Sequence, residues 1–325
     1  MRKESGLLDQ FDSYFIRIKQ ELHKVVNSDV SLIEEVGSYS LLGGGKRLRP
    51  LFFILSCQLC NYHKSDIYSL SAIFECIHAA SLLHDDVLDN ASIRRGRSSA
   101  NKIWGNSAAV LVGDFLFSKS SRMAVDKRHI EFLKVVTDTA IRMTEGQILE
   151  LDNTHNWKIT RREYTGIITS KTAGLISAAC ASGGIIAGAG QAKIQSLKDF
   201  GLNMGIAFQI VDDVLDYTYP VEKSGKQMGS DLREGKVTLP LIYTLTCIDK
   251  RERERLEHVF KKGKASEKDY LRTIELVQDN GAINKCRADA QNYVDLAETY
   301  LRLFPDSPIK ESLLKLNQFI VDRSY

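Results

Sequence analysis

Apolar residues enter this chain at helical spacing. Leu8, Phe11, Phe15, Ile18, Leu22 and Val25 fall on one face of a helix that advances about 100° per residue, and the pattern breaks at Asn27-Ser28-Asp29. Gly43-Gly44-Gly45 ends the next helical stretch, and Pro50 opens an apolar helix at a position where its missing N–H does no harm. Near the other end, Leu313, Leu316, Phe319 and Ile320 form the stripe of a terminal helix. Residues 250–264 alternate charges (Arg251, Glu252, Arg253, Glu254, Arg255) and read as a solvated helix face and loop. The pattern predicts an all-α protein.

Residues 172–192 carry no charge over 21 positions, long enough to span a bilayer. Their content is mainly Ala, Gly and Ser, with Leu175, Ile176, Ile185 and Ile186 the larger aliphatics, so insertion would gain little. We expect a buried helix followed by a glycine-broken turn near Gly183 and Gly184, and no transmembrane segment. Residues 217–235 are polar and glycine-bearing, as a flexible flap would be. With five prolines and no Pro- or Ser-rich linker, the chain reads as a single domain over residues 1–325.

The formal net charge of +3 argues against a dedicated nucleic-acid partner, although local basic clusters remain suited to phosphates. Of six cysteines only Cys57 and Cys60 are close in sequence, inside an apolar run, and they read as packed reduced thiols. A reducing cytoplasm fits, and the N-terminus has no continuous apolar core of a signal peptide.

The chemistry concentrates in one pentapeptide present twice, Asp85-Asp86-Val87-Leu88-Asp89 and Asp212-Asp213-Val214-Leu215-Asp216. On a helix the first and third aspartates lie about 40° apart, with the middle one at the edge of the face. Carboxylates crowded in this way repel one another, and a hard cation with oxygen ligands relieves them. Mg²⁺ suits such a site, because it keeps waters and takes phosphates as co-ligands. The alternative is a solvated acidic face; the exact repetition of the pentad and its apolar flanks weigh against it.

These motifs resemble those of the trans-isoprenyl diphosphate synthases, or polyprenyl synthetases, whose hallmark is a pair of Asp-Asp-x-x-Asp motifs on facing helices. The resemblance runs from Gly43-Gly44-Gly45-Lys46-Arg47-Leu48-Arg49-Pro50 to the C-terminus and implies a large bundle of mostly antiparallel helices around a central substrate cavity. It implies that all six aspartates bind two to three Mg²⁺ ions, and that Lys46 and Arg49 grip the diphosphate of isopentenyl diphosphate. His78, about 20° from Asp85 around the helix, joins them, although a lone histidine on an apolar face is more often a core residue. In Arg94-Arg95-Gly96-Arg97 the first arginine is expected on an allylic diphosphate and the second on isopentenyl diphosphate. Lys171 and Thr172 match the element that holds the allylic diphosphate; Gln209 belongs to the second aspartate motif; Lys226 and Lys236 complete the cationic cage. Asp114 is expected in helix packing and dimer contact, and Glu145-Gly146-Gln147 through Leu151-Asp152 resembles a further family segment.

The resemblance implies a homodimer in the cytoplasm that condenses an allylic primer, farnesyl diphosphate above all, with isopentenyl diphosphate, releasing product at a membrane surface through peripheral contact. Ile77, Ala80 and Ser81 lie upstream of Asp85 where a growing tail would pass; Ala80 and Ser81 are small, which predicts a long product of about eight to ten isoprene units. Close packing of two helices would also call for small residues there. Three other readings stay open: a short-chain synthase, a terpene cyclase, and a non-catalytic regulatory subunit. The last tends to lose aspartates, and all six are present.

Overall fold

The computed structural model describes residues 2–218, 227–261 and 265–322. They are almost wholly helical, with one two-stranded hairpin, and cluster into two compact units. The first comprises Met1–Ile141, Leu175–Gly201 and Thr299–Leu316; the second comprises Arg142–Gly174, Leu202–Glu298 and Asn317–Tyr325.

The first unit is built on the helix Ile67–Leu88, which packs against Asp12–Val26, Leu48–Leu59 and Asn106–Asp126. Leu70 to Ile77 are buried without interruption, so this helix is apolar all round where it crosses the core. It is long and apolar enough to cross a membrane, yet 72% of that window is buried inside the protein. Phe53, Phe74 and Phe132 meet beside it, with ring centroids 5.4 to 6.4 Å apart. The stripe expected on Asp12–Val26 is buried at Ile18, Leu22 and Val25.

The turn expected at Gly183 and Gly184 is not there. The helix Gly174–Ile186 runs through both, and the chain turns over residues 187–190, where Gly188 takes φ +68°. Space, not conformation, accounts for Gly183: a Cβ there would lie 2.5 Å from Ser56 Cβ and 2.8 Å from the Phe53 carbonyl oxygen and Cys57 N. Gly183→Ala is therefore expected to cost about 1–3 kcal/mol by overpacking, read as a lower denaturant midpoint. An unchanged midpoint would contradict so close an approach.

In the second unit a capping box, Thr160 with Glu163, starts the helix Arg161–Ile168. That helix does not continue regularly; Thr169–Ala173 forms a single π turn. Two glycines make room for it. A Cβ on Gly146 would lie 2.7 Å from Lys171 N, and one on Gly205 2.6 Å from Ala173 Cα. Such π turns recur where a helix must re-aim a functional side chain. Lys250–Lys261 buries only Leu256 and Phe260, as the alternating charges predict; of the terminal stripe, Leu313 and Leu316 are buried in the first unit and Phe319 and Ile320 in the second.

Candidate active site

Both aspartate pentads lie at the C-terminal ends of long helices. Asp85 and Asp86 fall in the last turn of Ile67–Leu88 with Asp89 as its C-cap, and Asp212, Asp213 and Asp216 lie in the last two turns of Gln191–Thr218. A helix C-terminus already carries partial negative charge, so carboxylates there are unfavourably placed unless a cation joins them. This location adds to the repulsion expected from spacing alone. An oxygen-only donor set in such a field fits a hard divalent ion.

Within each pentad the middle aspartate differs from its neighbours. Asp86 is buried, accepts a hydrogen bond from Arg94 Nε at 2.7 Å and is paired with the Arg94 guanidinium, while Asn101 Nδ2 donates to its carbonyl oxygen at 3.1 Å. Asp213 is buried and accepts from Tyr164 Oη at 2.6 Å and Gln209 Nε2 at 2.8 Å. Burial, with Asp212 and Asp216 nearby, pushes the Asp213 carboxyl up to about 7 against those two hydrogen bonds. Asp216 accepts from Ser230 N, Ser230 Oγ and Asp231 N at 3.1, 2.6 and 3.1 Å, which ties the returning chain to the end of the aspartate helix.

In the first unit, Ile93–Arg94 and Arg97–Ser98 pair as an antiparallel hairpin. Its two turn residues, Arg95 at φ +52° and Gly96 at φ +72°, are both left-handed, the signature of a type I′ turn. The turn fans the arginines apart: Arg94 goes to Asp86, Arg95 Nη1 donates to the Gly44 carbonyl, and Arg97 goes to Tyr39. Arg47, also left-handed at φ +50°, turns inward to buried Glu75 and to the Leu41 carbonyl. Burial, reinforced by Arg49, Arg95, Arg47 and Arg94, holds the His78 imidazole well below its ordinary range, hence neutral. Four guanidiniums, those of Arg49, Arg95, Arg47 and Arg94, thus gather about a neutral histidine with Glu75 and Asp86 as buried counter-charges. The excess is positive, which suits an anion. Lys46 follows Gly45 directly and its Nζ is buried. Arg94, Arg95, Asp86, Tyr39, Leu82 and Leu83 line a recess at this place.

In the second unit Lys171, at the centre of the π turn, is paired with Glu150. Lys236 Nζ lies 2.6 Å from Glu234 and 4.0 Å from the same Glu150 oxygen, so the two lysines expected on one diphosphate converge on one carboxylate. Thr172 follows Lys171 in the π turn, and Gln209 is engaged with Asp213. Lys226 lies outside the described residues. Ile77 and Ala80 are buried on their helix and Ser81 is half-buried, its Oγ donating to the His78 carbonyl at 2.9 Å. Glu150 and Tyr164 join the candidate site through their partners Lys171 and Asp213, a role that sequence reasoning gave to neither. Glu150 stands in the segment after Gly146, but nothing in local spacing ties it to a lysine 21 positions on.

A family model described as polyprenyl synthetase matches residues 30–277. Octaprenyl diphosphate synthase of Escherichia coli is 36% identical over 299 residues, covering 92% of each chain. All-trans-nonaprenyl-diphosphate synthase (geranyl-diphosphate specific) of Rhodobacter capsulatus is 34% identical over 310 residues, covering 95% of this chain and 94% of its own. The crystal structure of a polyprenyl synthase from Caulobacter crescentus, complexed with calcium and isoprenyl diphosphate, superimposes with a TM-score of 0.93 at 36% identity, covering 98% of this chain and 97% of its own.

Proposed function

Because the chain belongs to the polyprenyl synthetase family and is a prenyltransferase that uses a divalent metal, we propose that it extends an allylic diphosphate, preferably farnesyl diphosphate, with successive isopentenyl diphosphate units to a long all-trans polyprenyl diphosphate of the octaprenyl kind. The observation that carries the reading is the pair of complete aspartate pentads, each at a helix C-terminus, together with the separate cation clusters around His78 and around Glu150.

The reaction breaks the C–O bond between the allylic carbon and its diphosphate, forms a C–C bond from the double bond of isopentenyl diphosphate, and loses a proton. The six aspartates would hold two to three Mg²⁺ ions, which supply positive charge to the departing diphosphate. Arg94, Lys171 and Lys236 add fixed donors where the same charge develops, with Thr172, Gln209 and Lys226 in support. Lys46, Arg49, His78 and Arg95 hold isopentenyl diphosphate with its double bond beside the allylic carbon, so that an encounter in solution becomes a positioned reaction. Glu150 keeps Lys171 and Lys236 together before the diphosphate arrives and competes with it. The exposed Leu111 and Phe117 on Asn106–Asp126 support a homodimer, and six free thiols support the cytoplasm. Release of the apolar product at a membrane surface belongs to the same reading.

The test is product mass after incubation with Mg²⁺, farnesyl diphosphate and isopentenyl diphosphate. A product of about eight units is expected, with one added unit lengthening the tail by about one helical turn. Products confined to three or four units would replace this reading with a short-chain synthase, and none at all would favour the regulatory subunit. In the same assay Arg95→Ala should chiefly raise KM for isopentenyl diphosphate and Lys171→Ala that for the allylic substrate.

A further inference from the structure

Arg94 and Arg97 stand directly opposite each other across the hairpin, an unfavourable pairing of like charges. Each is relieved by a different partner. Arg94 turns to Asp86, inside the site already described, whereas Arg97 lies over the face of Tyr39, its guanidinium carbon 4.2 Å from the ring centroid, and donates from Nη2 to the Tyr39 carbonyl at 3.2 Å. Tyr39 is held from two further directions: its Oη donates to the Ser98 carbonyl at 2.7 Å, and the Trp104 ring meets it edge-on at 5.1 Å. Tyr39 sits in the last turn of Ser31–Leu42, immediately before the three glycines.

Gly44 N donates to the Leu42 carbonyl at 2.8 Å, but the backbone conformation of those glycines does little to fix them. Gly44 and Gly45 take φ +115° and +118°, a region that only glycine enters easily and that leaves the loop with many alternatives. Gly43 is different, with φ −70°, which any residue adopts. What excludes a side chain there is the Tyr39–Arg97 pair, since a Cβ on Gly43 would lie 2.2 Å from the Tyr39 carbonyl oxygen, which cannot move aside, and 1.9 Å from Arg97 Nη2. Beside it, Arg95 Nη1 donates to the Gly44 carbonyl and would lie 3.0 Å from a Cβ on Gly45. The glycine loop therefore rests under two arginines of one hairpin, and Lys46 and Arg49 follow it directly.

We propose that Tyr39 and Arg97 form a clamp that fixes the glycine loop on the arginine hairpin, and that they are positioning residues for isopentenyl diphosphate and not for the allylic substrate. The inference rests on the reading that Lys46, Arg49 and Arg95 hold that diphosphate. Neither clamp residue needs to touch it. Their part is to keep three cations, borne on the glycine loop, on the first turn of the helix Leu48–Leu59 and on the hairpin turn, at the mutual spacing that a single diphosphate requires, which otherwise would have to be ordered at each binding event.

The test is steady-state kinetics of Tyr39→Leu, Arg97→Met and Tyr39→Phe, with Arg49→Ala as reference. Tyr39→Leu and Arg97→Met are expected to raise KM for isopentenyl diphosphate about five- to tenfold, leaving kcat and KM for the allylic diphosphate within about twofold. Tyr39→Phe keeps the stacked ring and should stay within about twofold of the parent throughout. If Arg49→Ala leaves KM for isopentenyl diphosphate unchanged, the assignment of that site fails. If Arg49→Ala raises it while Tyr39→Leu and Arg97→Met do not, the site stands and the clamp is overturned. Equal rises in both KM values, or loss of kcat, would show general support of the fold and equally overturn it. Should Tyr39→Leu fail to fold, exposed Arg97 decides the matter alone.

Discussion

Asp85→Ala and Asp212→Ala are each expected to lower turnover by about two to four orders of magnitude while the protein stays folded. Each change removes a charged oxygen donor from the place where negative charge must be met as the diphosphate departs, and electrostatic terms of this kind are worth about 3 kcal/mol or more. Stability is read separately: both aspartates occupy helix C-terminal turns, where a carboxylate opposes the helix dipole, so removal relieves about 0.3–1 kcal/mol at low salt against whatever contacts the side chain makes, and the protein stays folded. Asp86→Ala should behave otherwise. It leaves the Arg94 guanidinium without its buried partner and is expected to lower stability as well as activity. The checks are single-turnover rates, the unfolding midpoint, and calorimetric titration of Mn²⁺ in the presence of inorganic diphosphate, which should weaken for Asp85→Ala and Asp212→Ala. Turnover near the parent value in either variant would retire the role assigned to that cluster.

Ala80→Phe is expected to shorten the main product from about eight units toward three or four while the first condensation keeps most of its rate. On the proposed reading the growing tail starts at the metal site and runs along the first aspartate helix, where Ser81 lies about 40° and Ile77 about 80° around the helix from Asp85. Ala80 is 2% exposed and Ile77 likewise 2%, so both side chains are enclosed, and the question is whether tail or neighbouring helix fills the space beyond them. The two possibilities differ in a measurable way. If a tail passes there, a phenyl ring fills a channel that stands open before substrate arrives, and the unfolding midpoint changes little. If a helix is packed there, overpacking costs about 1–3 kcal/mol and product length stays the same. Ser81→Phe, at a half-buried position, gives the same readout with less demand on the core. Product mass and midpoint together decide, and an unchanged product length in both variants would remove Ala80 and Ser81 from control of chain length.

Much of this protein is written locally. Helical faces such as Ile18, Leu22 and Val25 follow from a period of about 3.6 residues, so the all-α architecture was legible before any coordinate. The duplicated pentads were legible for the same reason, because their chemistry depends on carboxylates within one or two turns of each other. Arg94, Arg95, Lys46 and Arg49 were singled out by resemblance; a glycine turn beside fixed charges suits an anion but does not by itself name one. What the sequence could not determine was where each charge finds its partner. Lys171 meets Glu150 across 21 positions, Arg47 meets Glu75 across 28, and Arg97 meets Tyr39 across 58. Only chain reversal brings such pairs together, and no periodic pattern encodes it. The burial of Asp86 and Asp213 belongs to the same class, since five identical letters say nothing of Arg94, Tyr164 or Gln209 closing over the middle carboxylate. The glycines show the limit most plainly. Gly96 and Gly188 serve a left-handed backbone, while Gly43, Gly146, Gly183 and Gly205 are small because another chain segment comes within 3 Å of where a Cβ would stand. A glycine that frees the backbone and a glycine that makes room look alike in sequence, and tertiary packing alone separates them.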